Sequence, residues 1–153
     1  TDLSATMLDK AKQYIQPLDA LHRVEFALAD VDQLKTDQTY DAALSILVTH
    51  FVPYAQKLNF FKAIDSRLKQ QGVFIGFDLT AMKTDQERGM LQHICEANGL
   101  STAQSTAMLS RLADDFYPLS EQETFEQLSL AGFGSVQRFT QILSYQGFIA
   151  LKV

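Results

Sequence analysis

The chain has 153 residues, enough for one domain with a real hydrophobic core, and its 46% hydrophobic and 20% charged content is ordinary for a globular protein. A formal net charge of -5 argues against a nucleic-acid surface, which needs a basic patch. No apolar run reaches the roughly 20 residues that span a membrane. The N-terminal residues carry no basic-plus-apolar secretory signal, and Cys95 is the single cysteine. No disulfide and no cysteine-based zinc cluster are expected, and a reducing cytoplasm fits.

Thr1-Asp2-Leu3-Ser4 reads as a strand end turning directly into a helix, with Ser4 as the cap and Met7, Leu8, Ala11 and Ile15 on one face. An Asp at the carboxyl end of such a strand can accept hydrogen bonds from both hydroxyls of a ribose. Pro17 marks the helix end, and Val24 to Leu28 alternates like a strand that delivers Ala29-Asp30 to a loop. Tyr40 to Val48 is apolar enough to predict a strand buried on both faces. Pro53 opens a helix with a core face of Leu58, Phe61, Ile64 and Leu68. Gln70-Gln71-Gly72 predicts a turn, and Val73 to Asp78 the next strand. Strands alternating with helices imply a parallel sheet covered on both sides.

The rhythm then changes. Thr84 and Glu87 predict a capping box, with Met90, Leu91, Ile94 and Cys95 on one helix face and a stop at Gly99. Ser101 starts a second helix through Met108, Leu109 and Leu112, so residues 82–117 read as a helical lid inserted between strands. Ser120 and Glu123 make another capping box for a helix ending at Ala131-Gly132-Phe133. Val136 to Leu143 and Gly147 to Lys152 predict a terminal hairpin turning around Ser144-Tyr145-Gln146, antiparallel because so short a connection cannot make a parallel crossover.

A mostly parallel sheet closed by an antiparallel C-terminal hairpin resembles the Rossmann-like, class I S-adenosylmethionine-dependent methyltransferases. Asp2-Leu3-Ser4 with Met7-Leu8 and Ala11 looks like that family's second-strand motif, and Asp30 resembles its adenine-binding acidic position. Tyr40-Asp41-Ala42-Ala43 looks like its fourth-strand opening, and Leu68 to Phe74 its helix-turn-fifth-strand segment. Leu128-Ser129-Leu130-Ala131-Gly132-Phe133 resembles its helix end. The likeness covers nearly the whole chain outside the lid, read here as one partial α/β domain over residues 1–153. The family's first strand and its Gly-x-Gly-x-Gly loop have no counterpart.

The resemblance implies S-adenosylmethionine as cofactor, with Asp2 on its ribose, Leu3 flanking the adenine, Asp30 accepting from the exocyclic amine and the Val31 N–H facing the ring. Val48, Thr49, His50 and Phe51 follow a strand where a switch-point crevice opens, so Val48 is expected at the cofactor and Thr49, Phe51 and Tyr54 at the methyl acceptor. His50 has the chemistry of a proton acceptor, set against a packed strand-end His bonded to backbone. In-line methyl transfer draws much of its acceleration from placement, so a base is optional. Three isolated His residues give no metal spacing, and no metal is expected.

In the family the first strand lies mid-sheet. Its absence predicts unpaired sheet edges and a chain inactive by itself, to be completed by an upstream segment or a second copy in a homodimer. The leading reading is methyl transfer to a small-molecule acceptor, with tRNA disfavoured by charge but left open. The alternatives are a non-catalytic assembly or dimerisation module using the open edge, and a nicotinamide-dependent oxidoreductase fragment. The latter shares the strand-end Asp but does not account for the Ala-Gly-Phe helix end or the hairpin.

Overall fold

The computed structural model describes residues 1–34 and 37–153, with the side chains of residues 113 and 114 outside that description. The chain divides into two compact units, Thr1–Gln38 and Thr39–Val153.

In the first unit the Ser4 hydroxyl caps α1 (Ala5–Ile15), accepting from the Met7 N–H at 3.3 Å. Leu8 is the buried residue of α1 and Met7 is exposed, correcting the expectation that Met7 lies on the core face. Neighbouring helix positions diverge by roughly 100°. A stripe running through Leu8, Ala11 and Ile15 therefore leaves Met7 to one side. The strand expected at Val24 to Leu28 shrinks to one parallel bridge, Asp2 to Leu28, with the Asp2 N–H donating to the Ala27 carbonyl at 3.1 Å. Ser4 caps α1 directly after Asp2-Leu3, so the partner segment turns into helix after a single bridge.

The second unit holds a four-stranded sheet in the order β1-β2-β4-β3. β1 (Tyr40–Ile46) runs parallel to β2 (Leu68–Leu79), with α2 (Tyr54–Arg67) as their crossover. β3 (Phe133–Ile142) and β4 (Tyr145–Lys152) form the terminal hairpin, and β4 pairs antiparallel with β2. The mixed sheet is thus parallel at one pair and antiparallel at the other two.

α2 buries Phe61 and Ile64 as its spacing predicts, with Leu68 continuing the stripe at the start of β2. The alternate residues Phe74, Gly76 and Asp78 of β2 are buried too. The Phe74 ring lies 6.0 Å from Phe61 and 5.8 Å from Phe133, centroid to centroid. α5 (Glu121–Ala131) adds Leu128 and Ala131 to this core, starts at the full Ser120–Glu123 capping box, and ends at Gly132 with φ 122°. α3 (Asp85–Ala97) and α4 (Thr102–Asp114) form the inserted helical pair, linked where Ser105 Oγ donates to Glu96 at 2.9 Å and Arg88 to the Leu109 carbonyl at 3.0 Å. The Thr84 hydroxyl caps α3, but the Glu87 carboxylate accepts from the Lys83 N–H instead of closing the box on Thr84.

Three expectations are corrected here. β1 forms, yet it is not buried on both faces: Leu44 is 68% exposed and Ile46 50%, with Ser45 its one buried residue. β1 is an edge strand, and a strand gains burial from layers over its faces as much as from its own composition. Gln70-Gln71-Gly72 does not end the chain path as a turn but kinks β2 from within. The register jumps from Tyr40–Leu68 to Ala42–Val73, Gln71 takes φ 64°, and a Cβ on Gly72 would meet the Lys69 carbonyl at 2.8 Å. The hairpin turns at Leu143-Ser144, with Tyr145 and Gln146 already paired in β4. The Ser144 carbonyl accepts from the Thr80 N–H and hydroxyl, each at 2.7 Å, which anchors the turn there.

Candidate functional site

In the first unit the parallel bridge aligns the two acidic residues at the carboxyl ends of adjacent extended segments. Asp2 pairs with Leu28, two residues before Asp30. Asp2 and Leu3 are exposed, and Asp2 Oδ1 accepts from the Ser4 N–H at 2.7 Å. Asp30 caps the short turn Val31–Gln33, its carboxylate accepting from the Val31 N–H at 2.6 Å. The amide expected to face an adenine is therefore engaged by its own neighbour in this conformation.

In the second unit Val48, Thr49, His50, Phe51 and Tyr54 follow the carboxyl end of β1. Leu47 leaves the strand at φ 56° and donates its N–H to the Phe77 carbonyl at 2.8 Å, which turns the chain sharply after Ile46. The short helix Thr49–Phe51 then leads to α2. Phe51 and Tyr54 are exposed, whereas His50 is 7% exposed. The His50 ring packs against Phe51 at 4.2 Å and Phe116 at 4.9 Å, and its carbonyl accepts from the Tyr117 N–H at 2.7 Å. The Tyr54 hydroxyl donates to the Pro118 carbonyl at 3.1 Å, so the segment after α4 is tied to this turn twice.

Two residues that the sequence did not single out organise the turn. Asp78, at the end of β2 and 7% exposed, accepts from the backbone N–H groups of Val48 (3.1 Å), Thr49, His50 (3.4 Å) and Leu79 (2.8 Å), and from the His50 ring at Nδ1. Lys57, 1% exposed on α2, donates to the Thr49 carbonyl at 2.7 Å. Lys57 stands at i, i+4, i+7 and i+11 with Phe61, Ile64 and Leu68, a lysine on an otherwise apolar stripe, and that is the signal that betrays it. A cavity of about 20 Å³ lies among Thr49, Lys57, Phe74, Asp78 and Thr124, space for about one water and far too small for a nucleoside.

Burial pushes the Lys57 ammonium down from 10.5 to about 8, against the opposing pull of the Asp78 and Glu123 carboxylates. In the unfolded chain the lysine keeps its proton to the higher value. Between these two pH values the unfolded state binds more protons, so stability rises with pH across that window. Burial raises the Tyr54 and Tyr145 hydroxyls above 10, so they act in the opposite sense beyond that pH. The urea midpoint is expected to climb from pH 7.5 to about 9.5 and to stay level over the same range in Lys57→Met. A level wild-type midpoint would contradict a desolvated Lys57.

The family model described as "Methyltransferase domain" matches residues 1–72. The carboxy-S-adenosyl-L-methionine synthase of Pseudomonas aeruginosa is 28% identical over 158 aligned residues, covering 98% of this chain and 64% of that protein. The resemblance to the class I, S-adenosylmethionine-dependent methyltransferases holds in sequence and in fold. Among solved structures, an O-methyltransferase family protein from Burkholderia thailandensis superposes with a TM-score of 0.69 at 16% identity, over 99% of this chain and 42% of that one. The magnesium protoporphyrin IX methyltransferase of Synechocystis, solved with SAH bound, superposes at 0.62 with 19% identity, over 99% of this chain and 61% of its own. The chain thus spans less than two thirds of the length of each of these proteins. Within it, the methyltransferase-like sheet, inserted helical pair and terminal hairpin are continuous, and no helix among the described residues is long and apolar enough to cross a membrane.

Proposed function

We propose that the chain is part of an S-adenosylmethionine-dependent methyltransferase acting on a small-molecule acceptor in the cytoplasm. The observation that carries this reading is the Asp2–Leu28 bridge, which places Asp2 and, two residues beyond Leu28, Asp30 on neighbouring segments, an arrangement suited to a ribose and an adenine edge. The family match over residues 1–72 spans the same acids, and the methyltransferase of Synechocystis binds SAH on the same fold. Asp2 and Leu3 take the ribose and adenine side, Asp30 and Val31 the adenine edge, and Val48 the cofactor's reacting end. Thr49, His50, Phe51 and Tyr54 face the acceptor. For Val31 to donate to the ring, its contact with Asp30 must open on binding. Titration of the full-length protein with S-adenosylhomocysteine tests the assignment. Asp2→Ala is expected to weaken binding about 10–100-fold, as loss of a charged acceptor to ribose hydroxyls requires. Equal affinities for both proteins would remove Asp2 from the site.

The name of the Pseudomonas relative supports a second chemistry, in which the nucleoside itself leaves carrying a carboxyl group. Mass spectrometry after incubation with S-adenosylmethionine and a small-molecule extract that supplies both methyl acceptors and carboxyl-donating acids separates the two: S-adenosylhomocysteine with a methylated acceptor marks methyl transfer, and a carboxylated nucleoside with a decarboxylated donor marks synthesis. The exposed Leu44 and Ile46 on edge strand β1 support the assembly reading as well, with a second copy completing the sheet. Sedimentation of this chain is expected to show concentration-dependent association that Ile46→Lys reverses; a strict monomer at all concentrations would eliminate that role.

A further inference from the structure

Asp78 is a buried carboxylate, and among the described residues the side chain bonded to it is the His50 ring. Its hydrogen-bond partners are N–H groups, and most of them belong to a turn some thirty residues away in sequence. Oδ2 accepts from Val48 and Thr49, while Oδ1 accepts from Leu79 and from the backbone and ring of His50. A carboxylate placed among N–H donors serves as an acceptor, so the ring nitrogen facing it must carry the proton. In its neutral form the imidazole then has its hydrogen on Nδ1 and its lone pair on Nε2.

We propose that Asp78 is the positioning residue of this site, one carboxylate that sets both the backbone path of Val48 to His50 and the proton position on the His50 ring. The inference rests on the methyltransferase reading for its functional meaning, because the turn it shapes carries the residues assigned there to cofactor and acceptor. Three features make the arrangement specific. The carboxylate sits on β2 while the turn follows β1, so the parallel pairing of these strands brings the donors to it. The turn is held from below as well, by Lys57 on the Thr49 carbonyl. It is also held from the far side by the Tyr117 N–H on the His50 carbonyl. Carboxylates that orient a histidine through Nδ1 fix which nitrogen offers a lone pair. A ligand group that meets His50 therefore meets an acceptor, and must bring an O–H or N–H to it.

The test is nitrogen NMR of the histidine-labelled chain at about two pH units above the unperturbed imidazole value of roughly 6.5. His22 and His93 are exposed and serve as internal references. The expected spectrum has His50 protonated at Nδ1, and the two references in the ordinary Nε2-protonated form. In Asp78→Asn the new amide must turn its nitrogen toward one of the two donor sets. The amide signals of residues 48–50 are expected to move while those of the β3–β4 hairpin stay, and affinity of the full-length protein for S-adenosylhomocysteine to fall at least tenfold. A wild-type His50 protonated at Nε2 overturns the proposal, as does an Asp78→Asn protein with unmoved signals and unchanged affinity. The wild-type spectrum decides the proton position even where the variant does not fold. A wild-type protein that binds no S-adenosylhomocysteine sinks the functional reading alone, because the proton position is read without ligand.

Discussion

Asp78→Ala is expected to lose about 3–5 kcal/mol of folding stability, the range seen when one member of a buried charged network is removed. The carboxylate is the shared acceptor for four backbone N–H groups and the His50 ring. Each buried donor left without a partner costs about 1–3 kcal/mol, so simple addition would overshoot the total stability of a small domain. Val48 is exposed and Thr49 half-buried, so water can reach their amides after the substitution; His50 and Leu79 are buried and bear the loss. The Lys57 ammonium also loses one of the two carboxylates that favour its charge, which leaves more of its desolvation penalty uncompensated. His50→Ala, which leaves the carboxylate its backbone donors, is expected to cost less than half as much. Urea denaturation followed by circular dichroism measures both. A loss below about 1 kcal/mol for Asp78→Ala would mean that these contacts contribute little net energy.

The contrast between Asp78 and Ser120 explains which parts of this molecule can be read from its sequence. Ser120 and Glu123 satisfy one another within a single helical turn, so their spacing states their role, and the box forms as expected. The stripe of α2 and the alternation of β2 are likewise local periodicities. Asp78 looks like any acid at a strand end, because its partners lie on a turn whose position depends on how β1 aligns with β2. The same limit applies to β1. Tyr40 to Val48 has the composition of a buried strand, but composition states what the strand suits and the neighbours decide what it gets. Asp30 shows the reverse case, where a short-range reading competes with a functional one: an Asx cap uses the very N–H that a ligand would need. The family's local motifs were legible because they are written within single strand-turn-helix units, while the His50–Asp78 contact crosses two of them.

Phe74→Ala is expected to cost about 3–5 kcal/mol, by the transfer energy of a buried aromatic plus the cavity it leaves. Phe74 is 2% exposed, between Phe61 on α2 and Phe133 on β3, so its loss separates the sheet from the helix layer at the middle of the core. Its ring also leans along its own strand over Gly76, where an added Cβ would come within 3.1 Å of it. A larger side chain therefore cannot refill the space from that position without the ring's removal, and Gly76→Ala in the Phe74→Ala background is expected to recover part of the loss. What enters the space is decided by its lining. Phe74 borders the existing cavity of about 20 Å³, together with Lys57, Thr49, Asp78 and Thr124. An enlarged cavity lined partly by polar groups fills with water, whereas a wholly apolar one stays dry. Water beside Lys57 lowers the penalty on its charge, so the rise of stability between pH 7.5 and 9.5 is expected to flatten in Phe74→Ala as it does in Lys57→Met. Urea midpoints at the two pH values read both effects together. A large loss of stability with the full wild-type pH slope would show that the cavity collapses onto its aromatic neighbours and leaves the lysine dry.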